Sequence, residues 1–464
     1  MDEPAVIDGS SGFPVGQRIA RSWTLAACHV LVSAACSAPG TGVTAWVGAS
    51  VFDGTGAVIA DAVVLESGGH VIALGPRDSI EVPRGATVVR LEGRWIIPGL
   101  IDGHAHAGES TLSRYLSYGV TSVRHVGGSL ERLTSLRARV ADGSSPGPRL
   151  YIAGETITGA PAVWPGHTEL RAPSDAAPAV ARLAAAGVSQ IKIYTHTPRE
   201  LIDAVVREAR AHDIPVTAHL GWVDALSAAR LGVQAVEHLS GIVEATVREP
   251  APWFAAHDRF PAGWMTFLRG WAGLDSAALD RTASELVDLG TVMVPTLIQS
   301  ETYARVLDTT YAKGLDLSAV TADEQEGWDL PDLVRRYAIT PADVPLLAGS
   351  RSKQDLFVRR YVAHGGQVVA GSDSPNQLLA PGASLHEELA LLVRAGLTPP
   401  EALISATQAA ARLLRADSIG VLRQGAVADF VVLLASPLDD IRNVQRLEVV
   451  VANGRRYQPA ELRR

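Results

Sequence analysis

The stretch Trp95-Ile96-Ile97-Pro98-Gly99-Leu100-Ile101-Asp102-Gly103-His104-Ala105-His106 decides the fold. Its apolar, β-branched run reads as a buried strand covered on both faces, predicted over 96–106. The run ends in two histidines one residue apart. Side chains at i and i+2 of a strand share a face, so His104 and His106 project together from the strand end. Imidazole is the commonest metal-liganding side chain, and two on one face make half a site. A bare His-x-His pair also occurs in ordinary loops. The lead-in from Pro98 to Gly103 weighs against that reading.

Downstream, apolar strand-like runs alternate with helical stretches rich in Ala, Leu, Arg and Glu, which predicts βα units around a parallel sheet. Eight strands are expected, over 96–106, 120–126, 149–156, 190–195, 215–220, 234–239, 291–297 and 367–372. Eight such units give an α/β fold of the (β/α)8 TIM-type barrel, whose active site is built at the C-terminal strand ends. Helices are predicted over 174–186, 199–212, 223–231 and 276–289, and 385–395 and 400–414 lead out of the barrel. Two intervals exceed the short connections of such units. One, 248–273, carries Trp253, Phe254, Phe260, Trp264, Phe267 and Trp271; the other, 302–361, is largely polar and helical. They read either as a lid or wall for an apolar substrate or as an extra helix pair packed on the barrel.

The phrase at 95–106 resembles the first barrel strand of the amidohydrolase superfamily of metal-dependent hydrolases, and the resemblance runs from about Thr44 to the C-terminus. Short alternating segments at 44–52, 57–66, 69–74 and 87–91, punctuated by Asp53-Gly54 and Gly68-Gly69, are too few to close a core alone. Segments 425–434 and 447–453 repeat the style. The two groups resemble the composite β-sandwich that the superfamily builds from both chain ends. The expected organisation is a signal-like segment and linker (1–42), a first sandwich half (43–95), the barrel (96–415) and a second half (416–464).

Strand four, Gln190-Ile191-Lys192-Ile193-Tyr194, puts a lysine inside an apolar strand. A buried ammonium without a partner is costly, so Lys192 is either neutralised, functional, or snorkelling to the rim. Strands five and six close on His219 and His238, and strand eight on Asp373 in Gly371-Ser372-Asp373-Ser374-Pro375. A lone histidine after an apolar run is usually a satisfied core residue, and a carboxylate at a strand end usually a loop cap. The superfamily resemblance implies a different reading for the set. His104, His106 and Asp373 hold a buried metal, and His219 and His238 a more exposed one. Lys192, carboxylated by CO2, bridges them. A buried lysine with a depressed pKa presents the free amine that reacts with CO2. Nitrogen and carboxylate ligands without thiolate suit two Zn2+ ions, and Mn2+, Fe2+ or Ni2+ fit similar sites. The resemblance further implies attack by a metal-bridging hydroxide, with Asp373 as general base and then acid; His238 counts as catalytic as well as liganding.

A second tier is expected around these residues. Tyr194 shares a strand face with Lys192 and resembles a tyrosine that steadies substrate or oxyanion in related peptidases. His167, in Trp164-Pro165-Gly166-His167, stands where relatives have a Gly-Gly-His segment, and His125 where many have aspartate. Both are candidate substrate contacts. Arg124 either receives a substrate carboxylate or pairs internally. His386 reads as structural.

Lys192-Ile193-Tyr194, Leu385-His386-Glu387 and the phrase from Gly396 to Leu403 resemble the branch near imidazolonepropionase and prolidase-like (Xaa-Pro) dipeptidases. That branch implies a binuclear hydrolase of an amide bond in a dipeptide or N-acyl amino acid. The alternatives are a mononuclear cyclic-amide hydrolase or deaminase, against which Lys192 argues, and a non-catalytic barrel scaffold, against which the complete ligand set argues. A homo-oligomer acting on a small-molecule or dipeptide-like substrate is expected.

The chain of 464 residues has a formal charge of -8 and no basic stripe, which argues against a nucleic-acid partner. Its two cysteines, Cys28 and Cys36, lie near the N-terminus, leaving the rest of the chain without a disulfide framework. Arg18 and Arg21 precede a short apolar run ending Val32-Ser33-Ala34-Ala35-Cys36, too short to span a membrane. It resembles a bacterial lipoprotein signal with Cys36 as the lipidated residue, although Ser33 stands where such signals prefer Leu or Val. An exported, periplasmic or membrane-anchored protein is expected, with a cytoplasmic enzyme carrying an N-terminal extension as the alternative.

Overall fold

The computed structural model describes residues 42–318 and 320–463. The signal-like segment and both cysteines lie outside the described residues.

Strands from both chain ends meet in one eight-stranded sheet. The N-terminal group is β1 (Thr44–Phe52), β2 (Val58–Ser67), β3 (His70–Pro76), β4 (Thr87–Arg90) and β5 (Trp95–Pro98). Parallel strands follow: β6 (Leu100–Ala105), β7 (Val120–His125), β8 (Arg149–Ile152), β9 (Ile157–Gly159), β10 (Thr168–Leu170), β11 (Ile191–Ile193), β12 (Val216–Ala218), β13 (Ala235–Glu237), β14 (Val292–Val294) and β15 (Gln367–Val368). The chain closes with β16 (Phe430–Leu433), β17 (Leu447–Ala452) and β18 (Arg455–Tyr457). In the mixed sheet β5 lies between β1, to which it is parallel, and β16, to which it is antiparallel. Trp46, Val51, Ile96, Phe430 and Val451 cluster on one face of that sheet.

The deciding stretch is therefore two strands, not the single one expected over 96–106. β5 belongs to the mixed sheet and β6 to a parallel one. The break sits at Pro98-Gly99, where a proline without an N–H meets a tight approach: a Cβ on Gly99 would lie 2.1 Å from the Thr121 hydroxyl.

The parallel strands form two ladders, β6-β7-β8 and β10-β9-β11-β12-β13-β14-β15. Backbone bonds join them at both ends. Ser189 N–H donates to Ile152 O (2.8 Å), Gly103 N–H to Ala370 O (2.8 Å), and His106 N–H to Ser374 O (2.7 Å). Ala105 and Ser374 form a parallel bridge. Most of these strands are shorter than expected, and 149–159 is divided between β8, paired with β7, and β9, paired with β11.

The helices between strands follow their apolar stripes. Arg199–Ala211 buries Leu201, Ile202, Val205, Val206 and Ala209, one face of a 3.6-residue repeat. Asp224 and Asp275 cap the helices Ala225–Leu231 and Ser276–Asp288. The expected helix over 400–414 is instead two, Pro399–Ser405 and Gln408–Leu413, the first opened by a Thr398–Glu401 capping box. The two long intervals are helical: Ala251–Ala256 and Phe260–Gly270 in one, and Leu297–Arg305 through Asp343–Ala363 in the other.

Candidate active site

His104, His106, His219 and His238 sit at or just past the C-terminal ends of parallel strands, Lys192 lies within β11, and Asp373 follows β15 by five residues. Backbone bonds extend the ladders to them: His219 N–H donates to Ile193 O, His238 N–H to Val294 O and Asp373 N–H to His104 O. The backbone there is bent. His238, Leu239, Thr296 and Asp373 all have φ between 44° and 58°, the left-handed region that non-glycine residues seldom occupy. Such outliers persist where the surrounding structure over-determines them.

His104, His106 and Asp373 offer one ligand atom each, all within 4.8 Å of one another. Nε2 of His104 is 3.2 Å and Nε2 of His106 3.3 Å from Oδ1 of Asp373. The ring of His238 lies 4.4 Å from that of His104 and 4.8 Å from that of His219. His238 Nδ1 is tied to the Thr296 hydroxyl at 2.7 Å.

Among the six metal candidates, two have a buried nitrogen without a hydrogen-bond partner: Nζ of Lys192 and Nε2 of His219. Unsatisfied buried polar atoms call for a missing ion or water. Burial lowers Lys192 to about 8, Glu237 and Asp373 opposing and Arg124 reinforcing that shift. Burial, with His238 and Lys192 nearby, takes His219 well below the ordinary imidazole range. Burial would raise Asp373, but hydrogen bonds from His104 and His106 and the surrounding positive groups hold it well below the usual carboxylate range. The donor set fits a divalent metal: four imidazoles, one ionised carboxylate, and a lysine poised to lose its proton.

Sequence reasoning missed the groups behind the ligands. Glu237 is fully buried and receives His104 Nδ1 at 2.6 Å, Arg124 Nη1 at 2.8 Å and the Thr217 hydroxyl. Asp102, also fully buried, accepts from the backbone N–H groups of Ser372 (3.0 Å) and His104 (3.2 Å), and burial pushes it up to about 6. Gln299 donates to Asp373. The available signal was a carboxylate inside a buried run, at Glu237 beside His238 and at Asp102 two residues before His104.

Arg124 takes the internal pairing that was one of its two readings, and the expected substrate contact at His125 is corrected. Arg124 is 2% exposed, held by Glu237 and by Gly103 O at 3.0 Å, so it pairs internally. His125 is buried, its Nε2 against Ala107 O at 3.1 Å and its ring edge-on to His106. Neither reaches the cavity wall. His386, in the helix Ala383–Ala395, donates from Nε2 to Tyr118 O.

Tyr194 and His167 do line the cavity, of about 550 Å³, together with all six metal candidates. Tyr194 lies edge-on to His219 at 4.8 Å and accepts from Trp164 Nε1 at 3.2 Å. Phe260 and Trp264 from the first long interval, and Tyr303 and Tyr337 from the second, complete the wall.

Residues 95–456 match the amidohydrolase family. An uncharacterized protein of Mycobacterium tuberculosis (strain ATCC 25618 / H37Rv) is 25% identical over 410 residues, spanning 82% of this chain and 90% of that protein. Among solved structures, bottromycin amidohydrolase is 24% identical with a TM-score of 0.69, covering 90% of this chain and 88% of its own. A Xaa-Pro dipeptidase with bound methionine in its active site is 20% identical with a TM-score of 0.64, covering 90% of this chain and 100% of its own. At these identities the two structures speak for a shared fold. The family match spans most of the chain: this protein belongs to the amidohydrolase family and is a hydrolase acting on carbon–nitrogen bonds.

Proposed function

We propose that this protein is a metal-dependent hydrolase of the amide bond of a dipeptide or N-acyl amino acid. The observation that carries the reading is the convergence of His104, His106 and Asp373 within 4.8 Å, beside the unpartnered nitrogens of Lys192 and His219. In this reading His104, His106, His219, His238 and Asp373 would hold two divalent ions, with Lys192, once carboxylated, as a further ligand. Two zinc ions suit these donors. When bound, they supply Lewis acidity and a nucleophile at neutral pH.

The residues of the chain do the rest. Asp373 is ionised and takes a proton from the attacking water, then returns it to the departing amine. Gln299 holds its second oxygen, so the first faces the histidines. The Tyr194 hydroxyl is already an acceptor from Trp164, which leaves its proton free to steady a carbonyl oxygen in the cavity. The aromatic wall excludes water from the reacting amide. The joined parallel ladders support a closed (β/α)8 barrel over 96–415, flanked by the two halves of a composite domain at 43–95 and 416–464. Lipidation at Cys36 after export is the matching proposal for the N-terminal segment, read out by the mass of the mature chain.

The test is turnover of Xaa-Pro dipeptides and N-acyl amino acids after incubation with zinc and bicarbonate. Activity that disappears in a His104→Ala, His106→Ala double variant supports the reading. Turnover that survives with the metal gone contradicts it.

A further inference from the structure

Aromatic residues make up 5% of the chain, yet six of them, Trp164, Tyr194, Phe260, Trp264, Tyr303 and Tyr337, line the one cavity that holds the metal candidates. Their rings form two groups joined through His219. Trp164 meets Phe260 edge-on at 5.6 Å, and Phe260 meets Tyr194 at 5.6 Å. Trp264 lies 5.1 Å from His219 and 6.3 Å from Tyr303, which in turn is 5.1 Å from Tyr337. These residues come from four separate stretches of the chain, 160–170, the end of β11 at Tyr194, 251–270 and 297–337, so local packing within one helix pair does not account for their convergence.

Around His106 and Asp373 the lining is built differently. Gly127 O lies 3.3 Å from His106 Nδ1, Gly128 and Ser129 follow it, and Asn376 and Gln377 follow Asp373 in the chain, while Glu155 and Arg336 are the charged residues of the lining besides the metal candidates. One flank is therefore aromatic and lies over His219 and His238. The other is small and polar and lies over His106 and Asp373, the group that protonates the leaving amine in the proposed function.

We infer that the enzyme is selective for N-aroyl amides: a planar aromatic acyl group seats against the Trp164–Phe260–Trp264 wall, and a small polar amine leaves on the side of Asn376 and Gln377. This rests on the proposed amide hydrolysis and names its substrate class. The acyl C–N bond breaks, the oxygen of one water bonds to the acyl carbon, and the amine leaves carrying a proton from that water. Rings meet rings edge-on or offset more favourably than they meet chains. A cavity of about 550 Å³ lies in the range that encloses a small-molecule ligand, here a bicyclic acyl group joined to one amino acid.

The experiment compares kcat/KM for N-naphthoylglycine, N-acetylglycine, N-decanoylglycine and the reversed compound N-acetylnaphthylalanine on the zinc-loaded full chain. The expected result is N-naphthoylglycine ahead of each of the others by about tenfold or more. Trp164→Ala at the rim and Phe260→Leu in the wall should each lower the naphthoyl-to-acetyl ratio by about tenfold. Calorimetric titration with naphthoate and with acetate supplies a readout independent of turnover, with naphthoate the tighter ligand and Phe260→Leu reducing its advantage. Amides cleaved without aryl preference, or with the reversed compound ahead, overturn the inference and leave the proposed function standing. No amide cleaved, with the naphthoate preference intact and sensitive to Phe260→Leu, overturns the proposed function and keeps the aromatic subsite.

Discussion

Nδ1 of His104 and Oε2 of Glu237 stand 2.6 Å apart, both fully buried. A nitrogen facing a carboxylate at that distance carries the proton, so the contact fixes the tautomer and leaves Nε2 of His104 facing Asp373. Arg124 and Lys192 share the neighbourhood, and with His104 they outweigh burial and hold Glu237 well below the usual carboxylate range. Glu237 thus orients a metal ligand from behind and gives buried Arg124 its counter-charge.

The first prediction follows from that contact. Glu237→Gln keeps the shape and loses the charge, and metal retention should weaken by about 10–100-fold. Competition with a graded chelator series, read by residual metal on folded protein, measures it. Retention equal to that of the parent chain would remove Glu237 from the site's support.

The second concerns packing beneath the same histidine. A Cβ on Gly371 would lie 2.7 Å from Cβ and 2.8 Å from the backbone nitrogen of His104. Gly371→Ala must push that strand aside, at a stability loss of about 1–3 kcal/mol, and it should loosen metal together with stability. Denaturant midpoints and metal content on the same preparations would separate this from a simple destabilisation, in which metal content holds at low denaturant.

These two positions show what was legible in the sequence. The ligand candidates were readable because each closes an apolar run, so His219, His238 and Asp373 stood out against their strands. Glu237 was not, because strand parity assigns Glu237 and His238 to opposite faces, whereas φ of +58° at His238 re-aims the histidine and leaves both near His104. The break at Pro98-Gly99 was hidden by an unbroken apolar stretch, since β5 and β6 are both buried and hydropathy does not distinguish one sheet from the next. β9 and β10, of three residues each, are too short to show a period. Arg124 stayed open between substrate contact and internal pairing, and His125 was expected as a substrate contact, because alternation along β7 does not say how deep each side chain ends in the sheet.

The third prediction is a pH dependence far from the metal candidates. Burial pushes His386 down to about 4, opposed by its hydrogen bond to Tyr118 O. The unfolded chain takes up the proton near pH 6.5 and the folded chain only near 4, so stability present above pH 6.5 is lost as pH falls through that window. The loss is on the order of 3 kcal/mol when complete. His386→Gln should flatten this part of the profile in denaturant titrations from pH 7 to 4, and an unchanged slope would count against a neutral buried His386.

The fourth has the opposite sign. Burial raises Glu388 to about 8 although it accepts from Ile298 N–H at 2.8 Å. A carboxyl held neutral in the folded chain but ionised in the unfolded one contributes stability that declines as pH rises from about 4.5 to about 8. Glu388→Gln should be the more stable form, relative to the parent, at pH 8.5 than at pH 5. A ratio of stabilities independent of pH would mean that Glu388 is ionised in place.

The most direct measurement of the central claim is metal per chain by plasma mass spectrometry, on protein loaded with zinc and bicarbonate and then freed of unbound ion. Close to two ions are expected for the parent chain and a loss of at least one in Lys192→Ala, with amide turnover falling alongside. One ion per chain, unchanged by Lys192→Ala, would contradict the bridged pair that Lys192, His219 and His238 are proposed to complete.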